Sequence, residues 1–403
     1  MAYRYLQNLT FLFIFGIVSS VGVFAQEGSY RFTPAPDIWY NDVDGVRLGL
    51  RVLGEVEGTF KDGPHRLDAG VWLSTWLPDN PVSYYASFTE PIGTSDLGNE
   101  TSIGLISSIR TGYSRHSLNL NKRWQDSFSE YEYKEVVISF AQEKMFDAEY
   151  RPFRQLWQNK WKSLIGLDFV ISSLPEIGQF LGKVSVKQNV GSNVSKFTIG
   201  SVELLQKVDL NEMFKLRIRG FAGFASEDTA PEYLFISSMN SPQNWIGSGL
   251  TRAKGTVPET WLQAGSFQVG GGANLRGYLN ADINALNAGL NPSFRSIWSI
   301  NTELEFPNPI DNKLRNISIV GDLISFRSYL FVDIGQGSES VTGADTDVLS
   351  DAGTGFQLSI NIPDYLGKDR GIFIRYDIPF WLSEPGGDES NFSFRQLIGV
   401  GAI

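Results

Sequence analysis

Residues 372–380 read IFIRYDIPF, and this short stretch shows the pattern that decides the fold. Every second residue from Ile372 to Phe380 is apolar, whereas Arg375 and Asp377 occupy positions between them. Because successive side chains of a β-strand point to opposite faces, a period of two indicates a strand with one apolar and one polar face.

The same alternation recurs along the chain, most clearly at 46–52, 214–219 and 298–306. The apolar faces are long and often end in an aromatic residue, and the polar faces carry charges of both signs. This pattern is typical of a transmembrane barrel wall, with apolar side chains toward lipid and charged ones toward the lumen. A large soluble β-sandwich or β-propeller also alternates and remains the alternative.

Counting such segments predicts an even number of strands. The sixteen candidate strands are 46–60, 65–77, 82–90, 101–113, 114–124, 131–142, 161–173, 182–191, 194–206, 213–224, 257–268, 293–306, 326–336, 352–362, 370–381 and 392–403. They predict an all-β fold, a 16-stranded antiparallel transmembrane β-barrel. The longest connection, at about 225–294, is expected to be a long lumenal or extracellular loop.

Composition excludes several classes of function. The chain has 403 residues, no Cys, two His and a formal net charge of −10. It therefore has no thiolate nucleophile or Cys-ligated metal, no HExxH zinc motif and too little positive charge to favour nucleic acid. No nucleophile motif with a His partner is evident. We expect a protein that is not an enzyme, with no cofactor, metal site or nucleic-acid partner.

The N-terminus reads as an export signal. Arg4 precedes an apolar core at Leu9–Val18, and residues 23–25 offer small side chains for cleavage. An uncleaved membrane anchor is the alternative. We predict a signal peptide at 1–25, a short periplasmic segment at 26–45 and a barrel at 46–403, located in a Gram-negative outer membrane.

Residues 270–278 read GGGANLRGY and carry the most specific signal. They fail the GxGxxG nucleotide fingerprint, because Leu275 occupies the last glycine position. Taken alone, the run is a flexible glycine loop. However, it resembles the loop signature of BamA/TamA-type outer-membrane assembly factors, the bacterial surface-antigen superfamily. The candidate loop residues are Gly270, Gly271, Gly272, Arg276, Gly277 and Tyr278.

Four further motifs follow in the order of that family. They are TELEFP at 302–307, YLFVDIG at 329–335, DAGTGF at 351–356 and IRYDIP at 374–379. The resemblance covers 265–403, whereas the earlier part matches only in strand pattern. Two departures are the absence of POTRA repeats before the barrel and a final Ile403 in place of an aromatic residue.

The resemblance pairs the motif arginine with lumenal carboxylates. In this chain they are Glu305 and Asp333, which alternation turns toward the lumen. Arg276 has five donors and cannot lose its charge, so in a poorly solvated lumen it requires anionic partners. The hypothesis is that Arg276 holds the loop through Glu305 and Asp333. A solvated loop arginine is the alternative.

The resemblance implies a function in inserting or translocating proteins at the outer membrane, alone or within a complex. Partners would be outer-membrane lipid and other outer-membrane or periplasmic proteins. A weak seam is expected between 46–60 and 392–403, because Gly399 and Gly401 weaken a strand. An ordinary closing strand that contains glycine is the alternative. The alternatives are a passive channel or structural subunit whose activity lies in partner chains, and a secreted soluble β-enzyme.

Overall fold

The computed structural model describes most of the chain after residue 29. The described residues are 30–41, 44–56, 66–77, 81–92, 99–125, 129, 131–149, 151, 154–211, 213–246, 267–278, 293–317, 323–363, 369–385 and 389–402. The predicted signal peptide at 1–25 lies outside them, so it stays a prediction.

Strands dominate the described residues. They are β1 (Tyr30–Asn41), β2 (Gly45–Val56), β3 (Arg66–Ser74), β4 (Val82–Pro91), β5 (Asn99–Arg110), β6 (Tyr113–Trp124), β7 (Tyr133–Met145), β8 (Lys162–Ser173), β9 (Gln179–Asn189), β10 (Thr198–Asp209), β11 (Lys215–Ala225), β12 (Phe267–Val269), β13 (Phe294–Phe306), β14 (Ile324–Glu339), β15 (Leu349–Pro363), β16 (Asp369–Leu382) and β17 (Leu397–Ala402). Two short helices, α1 (Pro242–Trp245) and α2 (Pro309–Arg315), and 3₁₀ turns at Arg154–Leu156, Pro231–Tyr233 and Arg276–Tyr278 complete the elements.

All strands except β12 form one antiparallel sheet in chain order. Each strand from β1 to β10 pairs with the next, β11 pairs with β13, and the series continues to β17. The predicted sixteen-stranded antiparallel all-β fold is therefore confirmed. Within the described ranges, β1 and β17 form no ladder with each other.

The sheet begins earlier than predicted. Residues Tyr30–Asn41 form β1 and pair along their whole length with β2, whereas the sequence placed a periplasmic segment there. The cause is Pro34 and Pro36, which lower the strand signal but are tolerated at a sheet edge. Of the predicted strand 257–268, only residues 267 and 268 are described, and they begin the three-residue β12. Because β1 is an additional strand and β12 is short, the number of long strands is still sixteen.

The outer face carries an apolar band. Exposed apolar residues occur two apart on most of the strands, as in Leu48/Leu50, Val71/Leu73, Ile103/Leu105, Leu118/Leu120, Ile138/Phe140, Ile165/Leu167, Val184/Val186, Val202/Leu204, Trp298/Ile300, Leu330/Val332 and Ile374/Tyr376. The register aligns them across strands. Leu105 lies opposite Leu118, which lies opposite Phe140, which lies opposite Ile165. The alternation in the sequence thus becomes a band of apolar surface around the sheet.

In the part of the chain that the structure describes, no helix has the length and apolar composition needed to cross a membrane.

The loop between β11 and β13 packs against the opposite face of the sheet. Leu234, Phe235 and Leu275 of this loop form a buried cluster with residues of β11, β13 and β16, such as Phe221 and Leu382. A second cluster joins the loop to the chain end, with Ile236, Met239, Trp245, Leu156 and Leu397 as its buried members. The core therefore lies between this loop and the inner face.

Candidate functional site

The glycine run turns the chain through backbone conformations that ordinary side chains avoid. Gly271 has φ +116° and Gly272 has φ +63°, a region where glycine has no steric cost. A Cβ on Gly272 would also lie 2.7 Å from the carbonyl oxygen of Met239. Gly270 differs, since a Cβ there would meet its nearest neighbour, Phe373 Cζ, only at 3.6 Å. Two of the three predicted glycines are thus required by geometry.

Arg276 begins the 3₁₀ turn that follows and is fully buried. Its Nε donates to Asp333 Oδ2 at 2.7 Å and its Nη2 donates to Asp333 Oδ1 at 2.8 Å. Its Nη1 donates to Glu303 Oε1 at 2.9 Å. The fork geometry is the strongest that a guanidinium offers, so the loop is joined to β13 and β14. We call Arg276, Glu303, Asp333 and Asp377 the Arg276 centre.

The structure brings Arg276 and Asp333 together as hypothesised, but it does not bring Glu305 to them. Glu305 Oε2 instead lies 3.6 Å from Arg327 Nη1. Glu303 and Glu305 share one face of β13 and are about 7 Å apart along the strand. The guanidinium of Arg276 contacts Glu303, whereas that of Arg327 lies near both carboxylates. The Glu305 prediction was wrong. Glu303 and Glu305 lie two residues apart and therefore on the same strand face, so alternation alone did not distinguish them.

Aromatic and acidic side chains complete the surroundings of Arg276. Its Cζ lies 3.8 Å from the centroid of the Phe331 ring, a cation–π geometry. Its Nη1 lies 3.9 Å from Asp377 Oδ1, and that oxygen accepts the Tyr329 hydroxyl proton at 2.6 Å. Burial opposes the charged form of Arg276, but Asp333, Asp377 and Glu303 outweigh it and raise its pKa.

Two residues that the sequence reasoning did not single out hold the loop backbone. Asn301 Nδ2 donates to the carbonyl oxygens of Ala273 at 3.2 Å and Asn274 at 3.0 Å. Arg375 Nη2 donates to Asn274 Oδ1 at 2.9 Å, and Asn274 itself has φ +55°. The one signal in the sequence was their position on the strand face. Asn301 lies two residues before Glu303 and Arg375 lies two residues before Asp377, so each shares a face with an acidic residue of the Arg276 centre.

Gly277 and Tyr278 fix the other end of the motif. A Cβ on Gly277 would lie 2.8 Å from Asp351 Cβ, and its carbonyl oxygen accepts a hydrogen bond from Arg395 Nη1. The Tyr278 hydroxyl donates to the Ser350 carbonyl oxygen at 2.9 Å. The motif therefore joins β15 and the chain segment before β17 as well.

The same loop is anchored on the far side of the lumen. Lys162 Nζ of β8 lies 2.5 Å from Glu232 Oε1 of the loop, and both side chains are buried. Gln243 Nε2 donates to Glu143 Oε1 of β7 at 3.3 Å, and the Tyr113 hydroxyl donates to Glu143 Oε2 at 2.7 Å. The loop thus spans the interior from β6–β8 to β13–β17.

The predicted seam takes another form. Strand β2, which contains most of the predicted 46–60 segment, pairs with β1 and β3 and not with 392–403. In β17, Gly399 lies opposite Arg375, and a Cβ there would be 2.7 Å from Arg375 Nε. Gly401 lies opposite Phe373. The Gly399 position thus makes room for a site arginine.

The remaining edge of β17 is bonded to the loop. Strand β12 pairs with it in parallel, with Phe267 opposite Ile398 and Val269 opposite Val400. Next to this short ladder, the Gly270 amide donates to the Val400 carbonyl oxygen at 3.4 Å. The seam prediction therefore identified the last strand, β17, correctly, but the described segment on its second edge is β12 and not 46–60.

Metal binding has no structural support among the described residues. They contain no group of three or more His, Cys, Asp or Glu side chains that could hold a metal ion. The acidic side chains of the Arg276 centre are instead directed at arginines.

No protein-family model matches the sequence, and no curated protein matches it. Among solved structures, the chain is similar to BamA from Haemophilus ducreyi lacking POTRA domains 1–3, at 14% identity, covering 94% of this chain and 71% of that one with a TM-score of 0.47.

Two further outer-membrane structures are similar in outline. Pseudomonas aeruginosa OccK2 (OpdF) is 12% identical over 93% of this chain and 95% of that one, with a TM-score of 0.30. Acinetobacter baumannii OccAB3 is 10% identical over 93% and 98%, with a TM-score of 0.31.

Proposed function

We propose that the chain is an outer-membrane β-barrel that acts in inserting or translocating proteins, alone or as a subunit of a complex. Two features of the described residues support it. One is the outward apolar band, which supports a lipid environment. The other is the incomplete bonding of β17, which supports a strand-accepting role.

The proposed outer-membrane location rests on the apolar band. Leu118, Phe140 and Ile165 are each more than two-fifths exposed, although they align across neighbouring strands. Contiguous exposed apolar surface of this kind is costly in water and matches the lipid-facing side of a barrel. Membrane fractionation and heat-modifiable gel mobility test this proposal, and recovery of a soluble, non-modifiable protein would contradict it.

The activity rests on the last strand. Strand β17 has six residues, against 14 in β16, and includes Gly399 and Gly401, which lack side-chain packing. Apart from β16, its partner among the described strands is the three-residue β12. A weakly bonded edge can accept an extended segment from another chain by β-augmentation. This edge is the single observation that carries the proposed function.

Depletion followed by a quantitative census of outer-membrane proteins is the decisive experiment. We expect specific barrel or surface proteins to fall in abundance, and re-expression of the wild-type chain to restore them. An unchanged census would contradict the proposed function. Pull-down from detergent-solubilised membranes would identify the periplasmic or outer-membrane partners.

A passive channel is the second candidate, favoured by one cavity. It has a volume of about 270 Å³ and is lined on β2–β6 by Glu55, Arg66, Asp68, Tyr85, Ser87 and Asn119, among others. A cavity lined by charged and polar side chains can take up small hydrophilic solutes. Planar-bilayer recordings separate the two candidates, because steady conductance together with an unchanged protein census would favour the channel.

A further inference from the structure

A second group of arginines lies on the inner face of β2–β5, strands that contribute nothing to the Arg276 centre. It is built around Trp72 of β3, whose indole ring lies over two glycines. A Cβ on Gly49 would overlap Trp72 Cδ1, and one on Gly70 would lie 2.6 Å from Trp72 Cη2. The Cζ atoms of Arg47 and Arg110 lie 4.6 Å and 5.4 Å from the ring centroid. One indole ring thus contacts two guanidinium groups.

Tyr85 of β4 completes the group, since its ring centroid lies 4.3 Å from Arg110 Cζ. We call Arg47, Trp72, Tyr85 and Arg110 the Trp72 cluster. Arg47 is only 8% exposed. Neither its side chain nor that of Arg110 forms a hydrogen bond or an ion pair with any residue that the structure describes, and both Nε atoms are buried. The cluster therefore holds two cations whose contacts are with aromatic rings.

Carboxylates near the Trp72 cluster are engaged with other groups. Asp44 and Asp68 act electrostatically on the two arginines, but Asp44 accepts the hydroxyl proton of Ser74 at 2.9 Å and Asp68 pairs with Arg51 at 3.6 Å. The arginine Cζ atoms are at most 10 Å apart, because both lie so close to one ring centroid, and their charges repel. Cation–π contacts offset part of this cost. Since buried charges are ordinarily paired, the cluster is suited to an anionic ligand.

A solute can reach the cluster through the cavity on β2–β6. Tyr85 belongs both to the Trp72 cluster and to the lining of that cavity, whose volume is about 270 Å³. Tyr85 and Arg110 are only partly buried. The cavity is much larger than the space that one water molecule needs, so a small hydrated anion fits beside Arg110.

We propose that Arg47 and Arg110 form an anion-binding site on the inner face of the barrel, with Trp72 and Tyr85 positioning their guanidinium groups. The ligand is a small solute that carries an oxyanion, either a carboxylate or a phosphate. The planar fork of a guanidinium matches the oxygen geometry of both groups. The site goes beyond the proposed function, because β17 and its edge contribute none of its residues.

Titration calorimetry with the full-length protein in detergent micelles tests the site. Inorganic phosphate and citrate are the probes, in separate titrations at constant ionic strength, so that the preferred oxyanion is identified. We expect saturable binding of at least one probe. In Arg47→Gln and in Arg110→Gln the affinity should fall about tenfold or more, because each variant loses a charge-assisted hydrogen bond to the anion.

Arg295→Gln is the matched control, because Arg295 pairs at 3.8 Å with the exposed Glu227 and lies outside the Trp72 cluster. This variant should bind the probes as the wild type does. Two results would overturn the inference. One is the absence of saturable binding of both probes to the wild type, and the other is equal affinity in the wild type and the three variants.

Unfolding midpoints separate a binding site from a purely structural role. In buffer without phosphate or citrate, Arg47→Gln removes a buried charge that has no ion pair, so its midpoint should equal or exceed that of the wild type. Adding the bound anion should raise the wild-type midpoint more than that of the variant, since a ligand stabilises the state that binds it. General stabilisation by these salts affects both proteins alike. A lower midpoint for the variant without anion, with equal rises in both proteins, would show a structural arginine and contradict the proposed site.

Discussion

Arg276 and Asp333 form a bidentate ion pair in which neither side chain is exposed to solvent. Moving two charges out of water costs free energy, but removing one member of an established buried pair is strongly destabilising, because it leaves the other charge buried alone. Arg276 therefore depends on Asp333 in particular. The Asp333 carboxylate accepts both guanidinium bonds and, at 3.3 Å, a bond from the Arg276 amide.

Replacing Arg276 by Ala should destabilise the barrel strongly. The substitution leaves Asp333, Glu303 and Asp377 without their shared cation, so we expect a loss of about 3–5 kcal/mol in the free energy of unfolding. Denaturant titration followed by heat-modifiable mobility measures it. The control is Arg295→Ala, whose pair with Glu227 is 3.8 Å long and partly exposed, and about 0–1 kcal/mol is expected there. Equal losses would refute a special role for Arg276.

Glu303→Gln and Glu305→Gln should have different effects on stability, although the two residues share one strand face and the sequence pattern does not distinguish them. Glu303 accepts from Arg276 and also lies 3.0 Å from Arg327 Nη2, whereas Glu305 makes a longer pair with Arg327, at 3.6 Å. Loss of a charged partner from a buried hydrogen bond costs about 1.5–3 kcal/mol, which we expect for Glu303→Gln only. Equal or reversed midpoints in urea titrations would contradict the assigned contacts.

Asp333→Asn and Asp351→Asn form a matched pair of isosteric substitutions. The two residues are cross-strand register partners and both are fully buried. No ion pair joins Asp351 to a described residue, and its carboxyl faces the Gly277 amide and the Asp333 carboxylate. Replacing Asp351 by Asn should therefore be neutral or stabilising, whereas Asp333→Asn should cost about 3 kcal/mol or more. Thermal unfolding checks both, and a strongly unstable Asp351→Asn protein would disprove this assignment.

Alanine substitutions should distinguish the glycines of the run. Gly272→Ala requires a left-handed backbone and a contact at 2.7 Å with the Met239 carbonyl oxygen, so we expect a loss of about 1–3 kcal/mol. Gly270→Ala meets only ordinary van der Waals contacts and should change stability by less than about 1 kcal/mol. Protease sensitivity of the loop provides the measurement, and similar cleavage rates for the two variants would count against the proposed turn.

The Lys162–Glu232 pair offers a test of the second anchor. Lys162→Met alone leaves the Glu232 carboxylate buried without its cation, so we expect a loss of about 3–5 kcal/mol. The double variant with Glu232→Leu removes both charges and should recover most of that loss. A double-mutant cycle based on unfolding midpoints measures the coupling. Additive losses would show that the two side chains act independently.

Much of the fold followed from local patterning, and the exceptions have physical causes. Alternation is a property of each strand, so the apolar band and the inward direction of Asp333 were readable from the sequence. Pro34 and Pro36 concealed β1. A proline weakens the strand prediction at every position, including an edge position where pairing does not need its backbone amide. The choice between Glu303 and Glu305 depends on where a distant loop lies along β13, which parity does not encode.

The pairing of β12 with β17 was also out of reach. A three-residue parallel ladder between segments more than a hundred residues apart leaves no periodic trace. The same holds for Asn301 and Arg375, whose roles depend on loop carbonyl and amide groups at Ala273 and Asn274. Sequence alone does not distinguish these two from other inward-facing polar residues of the same types.

The contacts of Arg276 connect the loop to three wall strands at once. Its partners Glu303, Asp333 and Asp377 come from β13, β14 and β16, which follow it in the chain. Asp377 is also paired with Arg375 at 2.7 Å, and Gly399 of β17 packs directly on that arginine. A displacement of the last strand would therefore be transmitted to the buried ion pairs through the side chain of Arg375.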